Sequence, residues 1–351
     1  MKKFLKIIGA ALAVTLALTG CTAGAGSSSA ADGGASSAGE SGGDSASGTL
    51  NIGVIQFAEH PSLDNCFNGI KQGLDESEYA GKFNLDVQNG HNSSEECDQI
   101  AKNMTAKNYD MIFAIATPAA LSAYAAAKDS GIPVIFCAVS DPVAAGLTES
   151  FDKGLDTCVG TSDVLELDKQ VELIKALMPD VKKIGVLYTT TEANSLSQLQ
   201  RLKEECDPQG IEVVEQGVSG SADIPQAAAD LASKVDCINN FTDNNVVNSL
   251  SVLLEKANAA NVPVFGSEVE QVKNGCIASI SIDYVALGKK TAEMGVEVLN
   301  GKKCSEMAVE KISEGTPVVN TDVMSAFGIT LPEGFENAEK VTTNADGSAA
   351  E

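Results

Sequence analysis

Residues 109–139 read YDMIFAIATPAALSAYAAAKDSGIPVIFCAV. Two apolar runs, 109–116 and 132–139, are short, rich in Ile, Val and Phe, and read as strands buried on both faces. Between them, 118–129 is an alanine-rich segment of helix length. Thr117-Pro118 opens it with a helix-start signature, a capping hydroxyl followed by a proline that needs no amide partner. Strand, helix, strand of this kind means two parallel strands joined by a crossover helix.

The same alternation runs outward in both directions. Upstream lie the strand-like runs LNIGVIQF (50–57) and FNLDVQ (83–88), with helix-length segments at 61–78 and 93–107, and downstream DTCVGTSD (156–163) closes the set. After a helix at 164–178 the series begins again. Its strands are KKIGVLYT (182–189), IEVVEQGV (211–218), VDCINNF (235–241), VPVFGSEV (262–269) and CIASISID (276–283), separated by helices at 192–207, 222–233 and 244–260. KIGVLY at 183–188 echoes NIGVIQ at 51–56, and NVPVFG at 261–266 echoes GIPVIF at 131–136. The expected fold is α/β, two doubly wound parallel-sheet lobes joined by a hinge. Lobe 1 spans 49–162, with 283–312 returning to it; lobe 2 spans 163–282, with 313–345 returning to it; 346–351 is a tail.

The chain has 351 residues, 44% of them hydrophobic, enough to bury a large core. Residues 1–20 read as a secretory leader: Lys2, Lys3 and Lys6, an apolar stretch from Ile7 to Leu18, then small residues before Cys21. Twelve apolar residues are too few to span a bilayer. Leu18-Thr19-Gly20-Cys21 resembles the bacterial lipobox, in which Cys21 becomes lipidated. Residues 21–48 are almost all Gly, Ala and Ser, a composition expected of a flexible tether. The expected location is the outer face of the bacterial cytoplasmic membrane. The formal charge is −24, and −27 once the leader, with three lysines and no acid, is removed. So acidic a surface repels phosphate backbones, which argues against nucleic acid.

Other chemistries find little support. Eight cysteines remain after Cys21, scattered singly, and Cys66 and Cys97, on helices expected to be neighbours, are the best candidate pair for a disulfide. Only two histidines, His60 and His91, are present, so neither a clustered His/Cys metal site nor a Ser-His-Asp triad is favoured. Gly39-Glu40-Ser41-Gly42-Gly43 has the G-x-S-x-G spacing but no strand before it. There is no dinucleotide fingerprint or Walker A lysine, and no cofactor is expected.

In doubly wound sheets, ligands bind beyond the carboxyl ends of the strands. Candidate contact residues, most of them polar, collect at those seams: Gln56, Phe57 and Glu59; Thr117 and Pro118; Ser140 and Asp141; Glu192, Asn194 and Ser195; Asp243 and Asn244; Ser267 and Glu268; and Asp283. Helix capping accounts for about half of such residues. Their concentration on facing rims points to ligand contacts. Helix N-termini with the Thr117 and Ser195 hydroxyls suit a carboxylate, and Asp243, Glu268 or Asp283 an ammonium group, which together describe an amino acid.

The motifs NIGVIQFAEHPS (51–62), FAIATPAA (113–120), FCAVSDPVAAGL (136–147), GTSD (160–163), KKIGVLYTTTEANS (182–195), TDNNVV (242–247) and SIDYVALGKKTAEM (281–294) resemble the ABC-transporter substrate-binding proteins of the tryptophan/tyrosine-binding type. The resemblance covers nearly all of 49–340. It implies the type I periplasmic-binding fold, lipid anchoring, no enzymatic activity, and delivery of an amino acid, an aromatic one being favoured, to a permease with a cytoplasmic ATPase. By motif, Thr117, Ser140, Asp141, Glu192, Asn194, Ser195, Asp243 and Asn244 are expected in the cleft of a monomer. Ala144 stands where the family usually has glycine. A ligand-sensing module for a membrane receptor is the alternative of another class, and a secreted hydrolase a third.

Overall fold

The computed structural model describes residues 49–312 and 315–343. The expected leader, Cys21 with its tether, and the tail 346–351 lie outside the described residues.

The first half runs β1 (Leu50–Gln56), α1 (Pro61–Asp75), β2 (Phe83–Asn89), α2 (Ser94–Ala106), β3 (Met111–Ile115), α3 (Thr117–Ala127), β4 (Val134–Cys137), the hairpin β5 (Thr148–Ser150) and β6 (Lys153–Gly154), and β7 (Cys158–Ser162). The second runs α4 (Leu167–Leu177), β8 (Lys183–Thr189), α5 (Ala193–Cys206), β9 (Glu212–Val218), α6 (Ile224–Ala232), β10 (Cys237–Asn239), α7 (Asn244–Asn248), α8 (Leu250–Ala259), β11 (Val264–Phe265), α9 (Val269–Lys273) and β12 (Ala278–Ser281). Then follow α10 (Tyr284–Leu299), β13 (Glu310–Lys311), β14 (Thr316–Asn320), α11 (Thr321–Ala326) and β15 (Glu339–Val341).

One sheet has the order β13-β7-β4-β3-β1-β2, with every pairing parallel. Ile52 stands opposite Met111, and Ile112 opposite Val134, so its centre is apolar on both faces. The other has the parallel order β11-β10-β8-β9. Its edge is extended because the Ile277 amide donates to Val264 O (2.7 Å) and the Gly266 amide to Ala278 O (2.9 Å). Beyond lie β12, β14 and β15, β14 running antiparallel to β12. The chain crosses between the sheets at 163–166, at 282–283, and between Lys311 and Thr316.

α10 closes back onto α1 by backbone contact. A Cβ at Gly69 would lie 2.1 Å from Val285 O, and one at Gly288 2.1 Å from Cys66 O. Only glycine at both crossing points allows this approach.

The structure departs from sequence expectation in several places. The apolar run 262–269 ends as a strand at Phe265, because Glu268 turns back to cap α9. The segment 244–260 is two helices, broken at Ser249. Cys66 and Cys97 are both free thiols, as are all the described cysteines, so the suggested pairing is corrected. The order β2-β1-β3 reverses direction at β1, and right-handed crossovers then place α1 and α2 on opposite faces of the sheet. Cys66 instead meets Cys137, while Cys97 packs beside Gly90.

Candidate ligand-binding cleft

Strand order turns back at β1/β3 in one sheet and at β8/β10 in the other, the positions where open α/β sheets form crevices. Beyond the ends of β1, β3, β4 and β7 stand His60, Thr117, Ser140 and Asp163, and facing them from the second half are Asn194, Asn244 and Gln271. All line one cavity, with Tyr284 at the start of α10 and the apolar side chains of Leu63 and Val247. About 350 Å³ of it is free of atoms, of which about 20 Å³ admits the centre of a water molecule. That holds a water or two, because side chains bridge the halves directly. Ser197 Oγ donates to Asp141 Oδ2 (2.6 Å), Gln198 Nε2 donates to Ser140 Oγ (2.9 Å), and His60 meets Asn244 (3.3 Å).

Behind the second rim, two carboxylates organise the backbone. Asp243 accepts from the Thr189 amide (2.6 Å) and hydroxyl (2.8 Å), from Ser195 Oγ (2.7 Å) and from the Val246 amide (3.1 Å). Glu192 accepts from Asn244 Nδ2 (2.7 Å), from the Asn244 amide (3.1 Å) and from Asn194 Nδ2 (3.1 Å). Together they close the first turn of α7 and tie it to β8. Glu268 does the same for α9, accepting from the Glu270 and Gln271 amides (both 2.7 Å), and Ser62 bonds it from across the cleft.

The cavity itself is acidic and short of partners. Asp163, 3% exposed, accepts from Ser140 Oγ (3.0 Å) and Tyr284 Oη (2.9 Å), and no Lys or Arg lines the cavity. Burial raises its pKa against three hydrogen bonds that lower it, from Tyr284, Ser140 and its own backbone amide. A carboxylate has about four lone-pair positions, so acceptor capacity remains. Thr117 Oγ1, Asn194 Oδ1 and His60 Nδ1 are buried without a partner, which is uncommon enough to mark a binding surface. Two further lining residues carry backbone strain: Ala116 (φ 78°, ψ 155°) and Ala138 (φ 55°) hold left-handed conformations, at a cost of about 1–3 kcal/mol each.

Of the residues expected at the site, Thr117, Ser140, Asn194 and Asn244 line the cavity. The cap position of α3 is Ala116, so Thr117 is its first helical residue and its hydroxyl does not cap, contrary to expectation. Pro118 is buried in the first turn of the same helix. Ser195 and Asp243 do not line the cavity, because they bond each other. Glu192 and Glu268 stand one layer back as caps, and Ser267 donates to Asn240 O (2.6 Å). Asp141 bridges the rims outside the cavity. Gln56 donates to Ala58 O and Asp64, Phe57 is core, Glu59 is exposed, and Asp283 is an exposed cap of α10. Asp163, Gln271 and Tyr284 are additions; Asp163 carries a sequence signal, an acid just past a strand, that the hinge position disguised. His60 stands in the seam after the first strand, directly before α1.

The buried acids predict an unusual pH dependence. Burial pushes Glu192 to about 7, helped by repulsion from Asp243, and burial pushes Glu268 to about 7 as well. Folded, both keep protons that the unfolded chain releases above 4.5, so their contribution to stability falls as pH rises from 4.5 to about 7. His60 opposes this: burial lowers it to about 4, so its contribution rises with pH between 4 and 6.5. Two groups outweigh one, and Asp163 adds in their direction. Stability should drop by on the order of 3 kcal/mol between pH 5 and 7. Thermal melts across that range, flattened in Glu268→Gln, test it; a melting point that climbs with pH refutes the balance.

Comparison with known proteins agrees with this architecture. The family described as ABC transporter substrate binding protein matches residues 51–342. A tyrosine-binding protein of Clostridioides difficile (strain R20291) is 38% identical over 328 residues, 93% of this chain and 92% of its own. Among solved structures, an ABC domain in complex with L-Trp from Streptococcus pneumoniae shares 34% identity with a TM-score of 0.80, covering 84% of this chain and 99% of that one. A ligand-free, open substrate-binding protein with adhesive properties from Clostridium difficile is 37% identical over 84% of this chain and 100% of its own, with a TM-score of 0.64. The lower score at higher identity fits the bridged rims described here. The chain belongs to the ABC transporter substrate-binding proteins, a family of solute binders with a type I periplasmic-binding fold and not of enzymes.

Proposed function

We propose that the protein is anchored outside the cell by lipid on Cys21, binds an aromatic amino acid between its lobes, and delivers it to a permease. The observation that carries the ligand class is the cavity's inventory: a buried acid with spare acceptor capacity, no Lys or Arg, and unpartnered polar atoms. An ammonium group satisfies Asp163. Thr117 Oγ1, at the free first turn of α3, suits a carboxylate. Leu63, Val247 and the methyls of Ala116 and Ala138 offer apolar wall to a side chain. Similarity to a tyrosine-binding protein and to an L-Trp complex supports the aromatic choice. With so little open volume, the lobes must part to admit such a ligand and close over it.

Titration calorimetry and thermal melts of residues 22–351 against the common amino acids test this. L-Tyr or L-Trp at a hundred times its Kd should add about 2.7 kcal/mol to stability. If no amino acid raises the melting temperature, the ligand assignment is wrong. Cys21→Ser should release the full-length protein from membranes into the medium.

A further inference from the structure

We propose that His60 is a specificity-determining residue that accepts a hydrogen bond through Nδ1 from a donor on the ligand's side chain. The site then selects aromatic amino acids bearing an O–H or N–H over those bearing none. This deepens the amino-acid reading and rests on it.

A relay behind His60 sets its chemistry. Glu192, bonded from three asparagines, takes a hydrogen bond from Asn244 Nδ2 (2.7 Å). That orients the Asn244 amide, leaving Oδ1 to face His60 Nε2 at 3.3 Å. An amide oxygen only accepts, so the proton of the imidazole sits on Nε2. Burial keeps the ring neutral, with its pKa lowered to about 4. Nδ1 is therefore a bare lone pair, buried and without a partner, on a residue that lines the cavity. Helix capping does not use it: His60 sits at the cap position of α1 without a side-chain cap bond.

Direction follows from strand order. Asp163 follows β7 and His60 precedes α1 after β1, with β4 and β3 between them. A ligand whose ammonium lies at Asp163 thus extends its side chain toward His60, past Ala138 and Ala116. A phenol O–H or indole N–H there satisfies Nδ1, whereas a plain phenyl ring buries it unpaired.

The test is calorimetric titration of wild type and His60→Phe with matched pairs, L-Tyr against L-Phe and L-Trp against 1-methyl-L-tryptophan. Wild type should prefer the donor of each pair by about ten- to a hundredfold. His60→Phe should bring both ratios to within about threefold. Equal binding of L-Tyr and L-Phe by wild type, or a preference that survives in His60→Phe, overturns the proposal while leaving amino-acid binding intact. No binding of any of the four ligands overturns the amino-acid reading and this inference together. Nitrogen NMR of the wild-type chain, which has only two histidines, gives a readout independent of the variant's folding. L-Tyr should shift the Nδ1 resonance of His60 and L-Phe should not; identical spectra with the two ligands count against it.

Discussion

Asp163→Asn should weaken amino-acid binding roughly a hundredfold, about 3 kcal/mol, without lowering the melting temperature of the free protein. Asn keeps the shape and one acceptor, for Ser140 or Tyr284, while the substitution removes the charge and turns the other oxygen into an amide donor. The buried carboxylate is disfavoured in the free protein, as its raised pKa shows, so neutralising it relieves desolvation. In the complex the same charge meets an ammonium group with no competing Lys or Arg on the cavity wall. Calorimetry with L-Tyr and with 3-(4-hydroxyphenyl)propionate, which lacks the ammonium, isolates the pair. Wild type should lose affinity for the second ligand, and Asp163→Asn should distinguish the two poorly. Affinity for L-Tyr within threefold of wild type would mean that another group carries the ammonium.

Gly288→Ala should cost about 3 kcal/mol and lower the melting temperature by about 5–10 °C. The new methyl would stand 2.1 Å from Cys66 O and 2.9 Å from the Ile70 amide nitrogen, both backbone atoms that no rotamer change can move. α1 and α10 must separate, loosening the helix that begins with Tyr284 and, through it, the support of Asp163. Gly220→Ala is the matched control, because a Cβ there meets nothing within 4 Å and its φ of 174° is ordinary extended backbone. Thermal melts of the two variants side by side decide the matter; equal stability would refute the tight crossing.

Legibility differed between fold and site. Met111–Ile115 and Val134–Cys137 are unbroken apolar runs because parallel strands are covered on both faces, a pattern written directly in the residues. The polar seams are equally legible. Which member of a seam faces a ligand is not. Ser195 and Asp243 have the chemistry of ligand contacts, yet they lie 48 residues apart in the chain and bond each other in the fold. His60 Nδ1 is left as the ring's unpartnered nitrogen because Asn244, 184 residues away, occupies the other one.

By itself, then, the sequence determined the two-lobed α/β plan, the seams on which a site must lie and the family, since periodicity, caps and motifs are local properties of the chain. Tertiary structure alone decided that Cys66 and Cys97 lie on opposite faces, that Asp243, Glu192 and Glu268 serve as caps, and that Asp163 and His60 front the cavity. The physical reason is hydrogen-bond satisfaction. A buried polar group is available to a ligand only through the bonding capacity that no protein group has claimed, and those claims are made between residues that strand order brings together.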